Sequence, residues 1–417
     1  MKINKYWPVV FIYFFINSVG LPWGLLYTTV LTPFLYFWVV RTRRTEILLP
    51  FLAAMLPFVI IQCLAGVKFG NYLLSFVNVA ATYVFAQAVY TFSLTCQDKE
   101  KLFRRILNLN FAFCLIAIPF YFTKWYAIFW ISQAFTQGVT NFLRFRLFTY
   151  EASYYAVLLS PIALFYFWQL MLRQNTIKSW KLIVLLVFPY IISLSIGVIF
   201  GLLLAIGGTY LIYWRTLSRR RRVILLLATS CILSVTGTLC LILFFPHNAL
   251  VVRMSNIFGG HDISSQGRTT DAFRLSERIL ELRNPWVGIG PGQLKTLGGE
   301  IIRSYYNYDP RNNDNIAIPN AMAETLLIFG WIGLLIRVIA QAALFFYAKP
   351  WKNYFQLSMF LFIFIYQFTG SYITNVAEYV IWVFAFTNNF PQFDIILPST
   401  AGPKPKIPSI NASLQNL

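Results

Sequence analysis

A series of apolar runs, each about as long as a membrane is thick, most constrains the fold of this chain. A helix needs about 20 apolar residues to cross a bilayer. Within the hydrocarbon region a single segment can satisfy its backbone hydrogen bonds only as a helix. The sequence therefore predicts an all-α polytopic membrane protein with about twelve transmembrane helices. The predicted spans lie near residues 7–20, 22–40, 46–66, 70–92, 106–123, 154–172, 182–194, 196–214, 223–245, 320–347, 355–372 and 377–390.

The distribution of charge predicts the topology. Only 12% of the residues are charged, against about 25% in soluble domains, yet the net charge is +20. With both termini inside, the short basic loops all fall on the cytoplasmic side, as the positive-inside rule requires. Nucleic-acid binding would need a soluble basic domain, and the sequence contains none. The basic loops are 41–44, 99–105, 173–181, 215–222 and 349–352.

The chain divides into four predicted parts. Residues 1–245 hold spans one to nine, residues 246–318 form a large extracytoplasmic loop, and residues 319–390 hold spans ten to twelve. Residues 391–417 are rich in proline, serine and asparagine, which predicts a disordered cytoplasmic tail. No small-residue cleavage site follows the first apolar run, so we expect that run to be retained as a span.

The sequence predicts neither a metal nor a cofactor. The five cysteines lie within apolar segments or at their ends, without CxxC spacing, so packing is their expected role. There is no DxD pair, Walker motif or zinc-ligand cluster. His247 and His261 are isolated in the large loop, and we expect them to be surface residues rather than catalysts.

An amphipathic helix is predicted in the large loop, between Thr269 and Arg283. Apolar residues recur there at helical spacing, and charged residues occupy the opposite face. The helix should stop at Asn284, because the residue before a proline disfavours the helical region. Such a helix can lie on the membrane surface with solvated charges or close over a cavity. The apolar positions are Ala272, Leu275, Ile279 and Leu282, and the charged positions are Asp271, Arg274, Arg278 and Glu281.

Arginines on the outer side suggest an anion site, because the positive-inside rule makes arginine scarce there. The guanidinium group is always charged, and its fork of donors matches phosphate oxygens. Arg268, Arg274 and Arg278, with Arg144 and Arg146 from the loop 124–153, could surround one anionic headgroup. Glycines at 288, 290 and 292 could also cradle a phosphate, but their spacing matches no phosphate fingerprint and favours a tight connection beside the bilayer.

Asn320 and Glu324 lie four residues apart and therefore on one face of span ten. In a straight helix Glu324 would be about 6 Å deeper than Asn320. A carboxylate at that depth must be paired or line a wet cavity, so it is either a functional group or the partner of a loop arginine. Glu151, just outside span six, and Glu378, near the outer end of the last span, are further candidates.

The order of these motifs resembles that of the O-antigen ligase and polymerase superfamily of bacterial envelope proteins. That family shows an arginine-containing helix, then Pro-x-x-Gly-x-Gly, a short loop, an asparagine at the start of a span, a glutamate four residues later and Gly-x-x-Gly. Here the matching elements are Arg268, residues 285–290 (Pro-Trp-Val-Gly-Ile-Gly), Asn320, Glu324 and residues 330–333 (Gly-Trp-Ile-Gly). The segment 146–153 is similar to the family's second arginine loop.

Two departures from the family pattern bear on the substrate. The lipopolysaccharide ligases have a functionally important histidine just before the asparagine, where this chain has Pro319. That difference favours a repeat-unit polymerase over a ligase. Many members also have an arginine after the serine between the paired short helices, where this chain has Ile196 after Ser195. That second difference removes one phosphate contact that the family would supply.

The resemblance implies a membrane glycosyltransferase that joins polyprenyl-diphosphate-linked oligosaccharide repeat units into a surface polysaccharide, either O-antigen or exopolysaccharide. It would act on the periplasmic face of the bacterial inner membrane. One lipid-linked glycan is the donor and another is the acceptor; a flippase and a chain-length regulator are expected partners. Diphosphate is already a good leaving group, so catalysis can rest on positioning and charge stabilisation without a metal. The expected catalytic residues are Glu324, Glu151 and Asn320, and the expected substrate-binding residues are Arg144, Arg146, Arg268, Arg274 and Arg278.

Two alternatives stay open at this point. One is an O-antigen ligase that moves the glycan to a lipid acceptor. The other is a flippase or exporter of lipid-linked glycans, which would more often show charges buried in mid-span and repeated halves. The spans read as nearly free of charge, which favours the enzyme.

Overall fold

The protein is almost entirely helical over the residues that its structure, a computed structural model, describes: 5–18, 21, 25–133, 142–172, 178–218, 236, 239, 242–244, 249–260, 262–307 and 316–395. The helices are α1 (Trp7–Phe11, extended by a π-helical turn, Ile12–Ile16), α2 (Tyr27–Val30), α3 (Thr32–Arg43), α4 (Leu48–Leu64), α5 (Phe69–Thr95), α6 (Lys99–Tyr121), α7 (Ala152–Leu172), α8 (Ser179–Ser193), α9 (Ile196–Ile212), α10 (Trp214–Leu217), α11 (Ala249–Phe258), α12 (Ile263–Gln266), α13 (Thr270–Leu280), α14 (Leu294–Leu297), α15 (Gly299–Tyr306), α16 (Ala321–Ala348), α17 (Tyr354–Tyr366) and α18 (Val376–Phe386). Three short 3₁₀ turns, Tyr126–Ile128, Pro350–Lys352 and Pro391–Phe393, complete the helical elements.

Helices overlap eleven of the twelve predicted spans, and the twelfth, near 223–245, lies almost wholly outside the described residues. The span predicted near 355–372 is too long, because its helix ends at Tyr366 and residues 367–375 form a loop. Among the residues described, four helices (α5, α6, α7 and α16) are long and apolar enough to cross a membrane. Six shorter apolar helices accompany them: Trp7–Ile16, Leu48–Leu64, Ser179–Ser193, Ile196–Ile212, Tyr354–Tyr366 and Val376–Phe386. The total of twelve spans and the side on which the large loop lies stay predictions.

Helix α7 lies at the centre of the bundle. Of its most apolar stretch, 83% is buried, against 22% for α16. It packs against α8, α9, α17 and α18, with Phe165 and Trp168 fully enclosed. Large apolar side chains such as Leu64, Phe37 and Phe346 are exposed on the outer helices. An apolar exterior around a packed interior is what a bilayer-embedded bundle requires.

A small β-hairpin departs from the all-α prediction. Strand β1 (Trp130–Gln133) pairs antiparallel with β2 (Phe142–Phe145), with Trp130 opposite Phe145. A two-stranded hairpin is only marginally stable on its own. Here Phe145 is fully buried, and the indole N–H of Trp130 donates to the Ala117 carbonyl at 2.9 Å. Tertiary packing therefore holds an element that is too short to give a sequence signal.

Helix α16 is broken at Gly330 and folds back on itself. Gly330 has φ 67° and ψ −168°, which is outside the helical region. Arg337 donates to the carbonyl of Ala321, a residue sixteen positions earlier; in a straight helix those residues would be about 24 Å apart. The first arm (residues 321–329) must therefore lie against the second arm (residues 331–348). The predicted straight span 320–347 is wrong in this respect, and so is the depth that it gave to Glu324.

Residues 391–395 pack against the bundle, although the sequence assigns them to the disordered tail. Phe393 is fully buried, Asn353 and Asp394 form an isolated β-bridge, and the Ile395 amide donates to Lys352. Aromatic contacts to the core explain the difference, since Phe393 packs edge-to-face against Phe165, with the ring centroids 5.4 Å apart. Residues 396–417 lie outside the described part of the chain.

Candidate functional site

Asn320 is the residue around which the candidate site is built. Its side-chain Oδ1 accepts hydrogen bonds from the amides of Met322 and Ala323 and so caps the first arm of α16. Its Nδ2 donates to the backbone carbonyls of Arg268 at 2.9 Å and Phe368 at 2.8 Å. The side chain is fully buried and all its bonds go to backbone. Both donors of this amide are therefore in use, and the catalytic role expected of Asn320 stays a prediction.

Arg268 is held by its backbone and leaves its guanidinium available. It lies in the turn between α12 and α13. Nη2 is 3.9 Å from Glu151 Oε1, which is too long for a hydrogen bond, and the two side chains are 35% and 26% exposed. Within the described part of the chain, the guanidinium makes no closer polar contact. A ligand can therefore use its fork of donors.

Glu151 reaches this position through a strained turn before α7. Leu147 has φ 52°, a left-handed conformation that is unusual for a residue with a branched side chain. It is fully buried, which holds the turn in place. The Thr149 hydroxyl donates to the carbonyls of Arg146 and Glu151, so the chain reverses just before Ala152. Strain of this kind persists where the surroundings fix it, and often at functional sites.

Glu324 lies on the first arm of α16 and binds the loop that joins α17 to α18. Its Oε2 accepts the amide N–H of Ile373 at 2.7 Å. The same loop (residues 367–375) reaches Arg268: a Cβ placed on Gly370 would be 3.3 Å from Arg268 Nη1 and 3.4 Å from the Tyr366 hydroxyl. One loop therefore connects the predicted carboxylate with the predicted arginine.

Tyr372 belongs to this loop, outside α17 and α18. The pKa of its phenol is raised from 10.0 to about 12, first by burial and then by the carboxylates of Glu324 and Glu151, while Arg268 opposes them. A phenol in this state keeps its proton at neutral pH. Tyr372 can therefore donate a hydrogen bond to an anion bound at Arg268.

Helix α13 forms as the sequence predicts, and protein covers its apolar face. Ala272, Leu275 and Ile279 are buried in a cluster with Leu326 and Leu327 of the first arm. The Ser276 hydroxyl donates to the Ala323 carbonyl at 3.0 Å. This apolar face therefore packs against protein and not against a membrane surface, while closure over a cavity stays a prediction. Leu282, predicted to belong to it, lies beyond the end of the helix and is half exposed.

The charged face of α13 is divided differently from the prediction. Asp271 is buried and accepts the hydroxyls of Tyr305 at 2.9 Å and Tyr306 at 3.3 Å, so it belongs to the packed side. Arg274 and Arg278 are exposed, and Arg278 lies over the Tyr305 ring. Neither contacts Glu151 or Arg268 in any recorded ion pair or hydrogen bond among the described residues. The expectation that they bind the same headgroup as Arg268 stays a prediction.

Arg144 and Arg146 are bound to backbone carbonyls. Arg144 Nε donates to Ser193 at 3.2 Å, and its Nη2 lies 3.4 Å from the Ser195 hydroxyl, which in turn donates to Ala152. The Arg144 guanidinium thus occupies the turn where the family pattern has an arginine and this chain has Ile196. Arg146 donates to Ala127 at 3.0 Å, and burial lowers the pKa of its guanidinium.

The glycines of residues 285–292 make a tight connection. The amides of Ile289 and Gly290 donate to the carbonyls of Leu327 and Ile328, at the break in α16. Gly288 has φ 76°, and a Cβ there would be 2.4 Å from the Ile328 oxygen. Helix carbonyls occupy these backbone donors, so a phosphate cradle at this loop has no free amides at positions 289 and 290.

A buried ion pair was missed by the sequence reasoning. Arg337 Nη2 lies 2.5 Å from Glu378 Oε1, with the side chains 15% and 1% exposed. The spans that read as nearly free of charge thus contain a buried pair, and Arg337 gave little signal because one arginine hardly changes the average hydropathy of a long apolar run. Glu378, a candidate carboxylate, is fully engaged with Arg337, Ser371 and Trp382.

The histidines predicted to be surface residues, His247 and His261, lie outside the described residues. Within the described ranges, no group of three histidine, cysteine, aspartate or glutamate side chains has the arrangement of a metal site. No model of a known protein family matches the chain, and no curated protein matches it.

Proposed function

We propose that this chain is a membrane glycosyltransferase that polymerises polyprenyl-diphosphate-linked repeat units on the outer face of the bacterial cytoplasmic membrane. The observation that carries the proposal is the guanidinium of Arg268, which is 35% exposed and 3.9 Å from Glu151, beside the loop 367–375 that also binds Glu324 through the Ile373 amide. The motif order that resembles the O-antigen ligase and polymerase superfamily supports it. The resemblance names Arg268, Asn320 and Glu324 in this cluster, and Glu151 lies in the segment 146–153 that is similar to the family's second arginine loop.

The donor diphosphate would bind at Arg268. A guanidinium offers two parallel donors to phosphate oxygens, and such pairs are stronger than neutral hydrogen bonds. Tyr372 would add a third donor, because its raised pKa keeps the phenol protonated. Among the described residues, only Glu151 competes with the diphosphate for the Arg268 guanidinium. Exposed ion pairs of that kind contribute about 0–1 kcal/mol. The substrate therefore gains most of the interaction that the guanidinium can give.

The transfer breaks the bond between the anomeric carbon and the diphosphate oxygen, and the electron pair stays on that oxygen. Arg268 stabilises the negative charge that develops there. The acceptor hydroxyl of a second lipid-linked unit forms the new bond to the anomeric carbon and gives up its proton to a carboxylate. The products are the lengthened lipid-linked glycan and the free polyprenyl diphosphate.

Glu324 is the better oriented base of the two carboxylates. Its Oε2 is fixed by the Ile373 amide, while no partner is recorded for Oε1 among the described residues. Glu151 faces Arg268 and would hold the guanidinium until the diphosphate arrives. We therefore assign proton acceptance to Glu324 and the orientation of Arg268 to Glu151.

The ligase reading lacks the histidine that ligases carry, since Pro319 precedes Asn320. The exporter reading gains one observation, the buried pair Arg337–Glu378, because charges within spans are frequent in transporters. That pair is neutral overall and fully hydrogen-bonded, whereas Arg268 offers free donors. A polymerase therefore explains the free donors of the Arg268 guanidinium better than an exporter does.

The proposal is tested by comparing two lysine substitutions. Arg268→Lys keeps the charge and loses the fork, so we expect polymerisation by the purified protein to slow about 100-fold. Arg41→Lys changes an exposed arginine in the predicted cytoplasmic loop 41–44 and should leave the rate within about 2-fold, as surface changes usually do. Equal losses for the two variants, at equal protein levels, would remove Arg268 from the site.

A further inference from the structure

The ion pair Arg337–Glu378 connects three parts of the molecule. Arg337 Nη1 donates to the Thr325 hydroxyl at 2.8 Å and to the Ala321 carbonyl at 3.3 Å, both on the first arm of α16. Its Nη2 donates to Gln367 at 3.1 Å and to Glu378 at 2.5 Å. The side chain thus joins the two arms of α16 to the end of α17 and the start of α18.

Glu378 completes the connection from the other side. Its Oε2 accepts the Ser371 hydroxyl at 2.5 Å, and Ser371 also accepts the Asn375 amide at 3.1 Å. Its Oε1 accepts the Trp382 indole N–H at 3.1 Å. Residues 367, 371 and 375 are therefore tied to the pair at regular intervals along the loop between α17 and α18.

The segments held by this pair carry the groups of the candidate site. The first arm of α16 bears Glu324, four residues after Asn320 and one before Thr325. Between the tied residues of the loop lie Gly370, against the Arg268 guanidinium, and Ile373, whose amide binds Glu324. A shift of either segment would change the distance between Arg268 and Glu324.

A cavity lies on the other side of the pair. It has a volume of about 460 Å³ and runs between α5, the second arm of α16 and α18. Arg337 and Glu378 form part of its wall, together with Gln341 and the aromatic rings of Tyr379 and Trp382. Helix packing does not fill the space behind the pair, so its hydrogen bonds must hold the loop and the arm.

We propose that Arg337 and Glu378 form a clasp that keeps α16 folded back and sets the loop 367–375 against Arg268 and Glu324. Both act as positioning residues, since their hydrogen bonds go to the groups that hold the arm and the loop, and the proposed function gives neither a substrate contact. The catalytic consequence rests on the proposed function, whereas the structural consequence does not. A buried ion pair contributes little net stability over a well-packed apolar pair, because desolvation offsets its attraction. Its use here is therefore geometrical.

The clasp is tested first without any substrate, by backbone amide hydrogen exchange. Arg337→Lys keeps the charge but cannot contact Thr325, Gln367 and Glu378 at once, so we expect exchange in residues 367–375 to accelerate at least 10-fold. Exchange in α7 should be unchanged. The control is Ser358→Ala, which removes buried hydrogen bonds to Trp168 and Thr209 in the core, away from the loop. Loop exchange in Arg337→Lys no faster than in this control would overturn the clasp.

A second experiment uses the double variant Arg337→Met/Glu378→Met, which removes both charges together. If the pair only balanced buried charge, this variant would restore native loop exchange and native turnover. The clasp instead predicts fast loop exchange and a kcat at least 10-fold below native, with KM within about 2-fold. If the double variant fails to insert into the membrane, Glu378→Gln, which keeps the shape of the side chain, is tested instead. The same fast loop exchange and lowered kcat are expected. If the variants show fast loop exchange but the native protein has no polymerase activity, the clasp stands and only the proposed function is overturned.

Discussion

Replacing Asn320 with alanine tests whether this side chain positions Arg268. The change removes the cap of α16, which costs about 1 kcal/mol. It also leaves the buried carbonyls of Arg268 and Phe368 without their donor, at about 1–3 kcal/mol each. We therefore expect unfolding to become easier by about 3–7 kcal/mol and the rate to fall about 100-fold, as a displacement of about 1 Å can cause.

The structure offers a matched control in Asn353. It caps α17 through Gln356, and its amide donates to Phe390 at 3.0 Å and Asp394 at 2.7 Å. Asn353→Ala therefore loses three side-chain hydrogen bonds, against four for Asn320→Ala, from a side chain that is almost as buried, and it has no hydrogen bond to Arg268. We expect a similar fall in the thermal midpoint and a turnover close to native.

The assay measures the thermal midpoint of each variant in detergent and then the initial polymerisation rate well below both midpoints. Positioning predicts a rate loss in Asn320→Ala alone. If both variants lose activity in proportion to their stability, or if Asn320→Ala turns over normally, then Asn320 only caps α16 and does not position Arg268. That result would refute the reasoning.

Three further changes follow from the same geometry. Glu324→Gln removes the proton acceptor without changing shape, so kcat should fall at least 100-fold while Glu151→Gln mainly raises KM; the reverse pattern in steady-state kinetics would exchange their roles. Gly330→Ala places a Cβ 2.4 Å from Trp286 at φ 67°, and a strained, overpacked site of this kind should cost at least about 2 kcal/mol in chemical unfolding; Gly207→Ala, with open space around it, should cost no more than about 0.5 kcal/mol. Tyr372 has a folded-state pKa above the ordinary 10.0, so its stabilising effect is complete below pH 10 and is lost between pH 10 and about 12. Tyr372→Phe should flatten the fall of the thermal midpoint across that range, and an unchanged fall would argue against a buried phenol.

The sequence predicts most of the elements but not how they meet. Apolar length and basic loops place the helices, because those signals are local and repeat along the chain. The helix at Thr270–Leu280 follows from its period. The break at Gly330 does not, because glycine is common in membrane helices. What requires it here is the close approach of Trp286, a tertiary contact.

The candidate site was predictable in part. Three residues that the motif order singles out, Arg268, Asn320 and Glu324, are connected through one loop and one helix start, and Glu151, expected from its place beside span six, lies 3.9 Å from Arg268. Arg144 was assigned to the anion but is bound at the Ser193–Ser195 turn. Arg337 carried a signal that went unused: an arginine within an apolar run needs a partner, and Glu378 was the buried carboxylate available.

The most direct test of the account is reconstitution of the purified full chain in vesicles with lipid-linked repeat units as the only substrate. The account predicts a ladder of lipid-linked glycans that grows by one repeat unit at a time and is lost in Arg268→Lys. Transfer of a single glycan to an added lipid acceptor, without a ladder, would instead identify a ligase. Movement of intact lipid-linked units across the vesicle membrane, with no new glycosidic bond, would contradict the central claim.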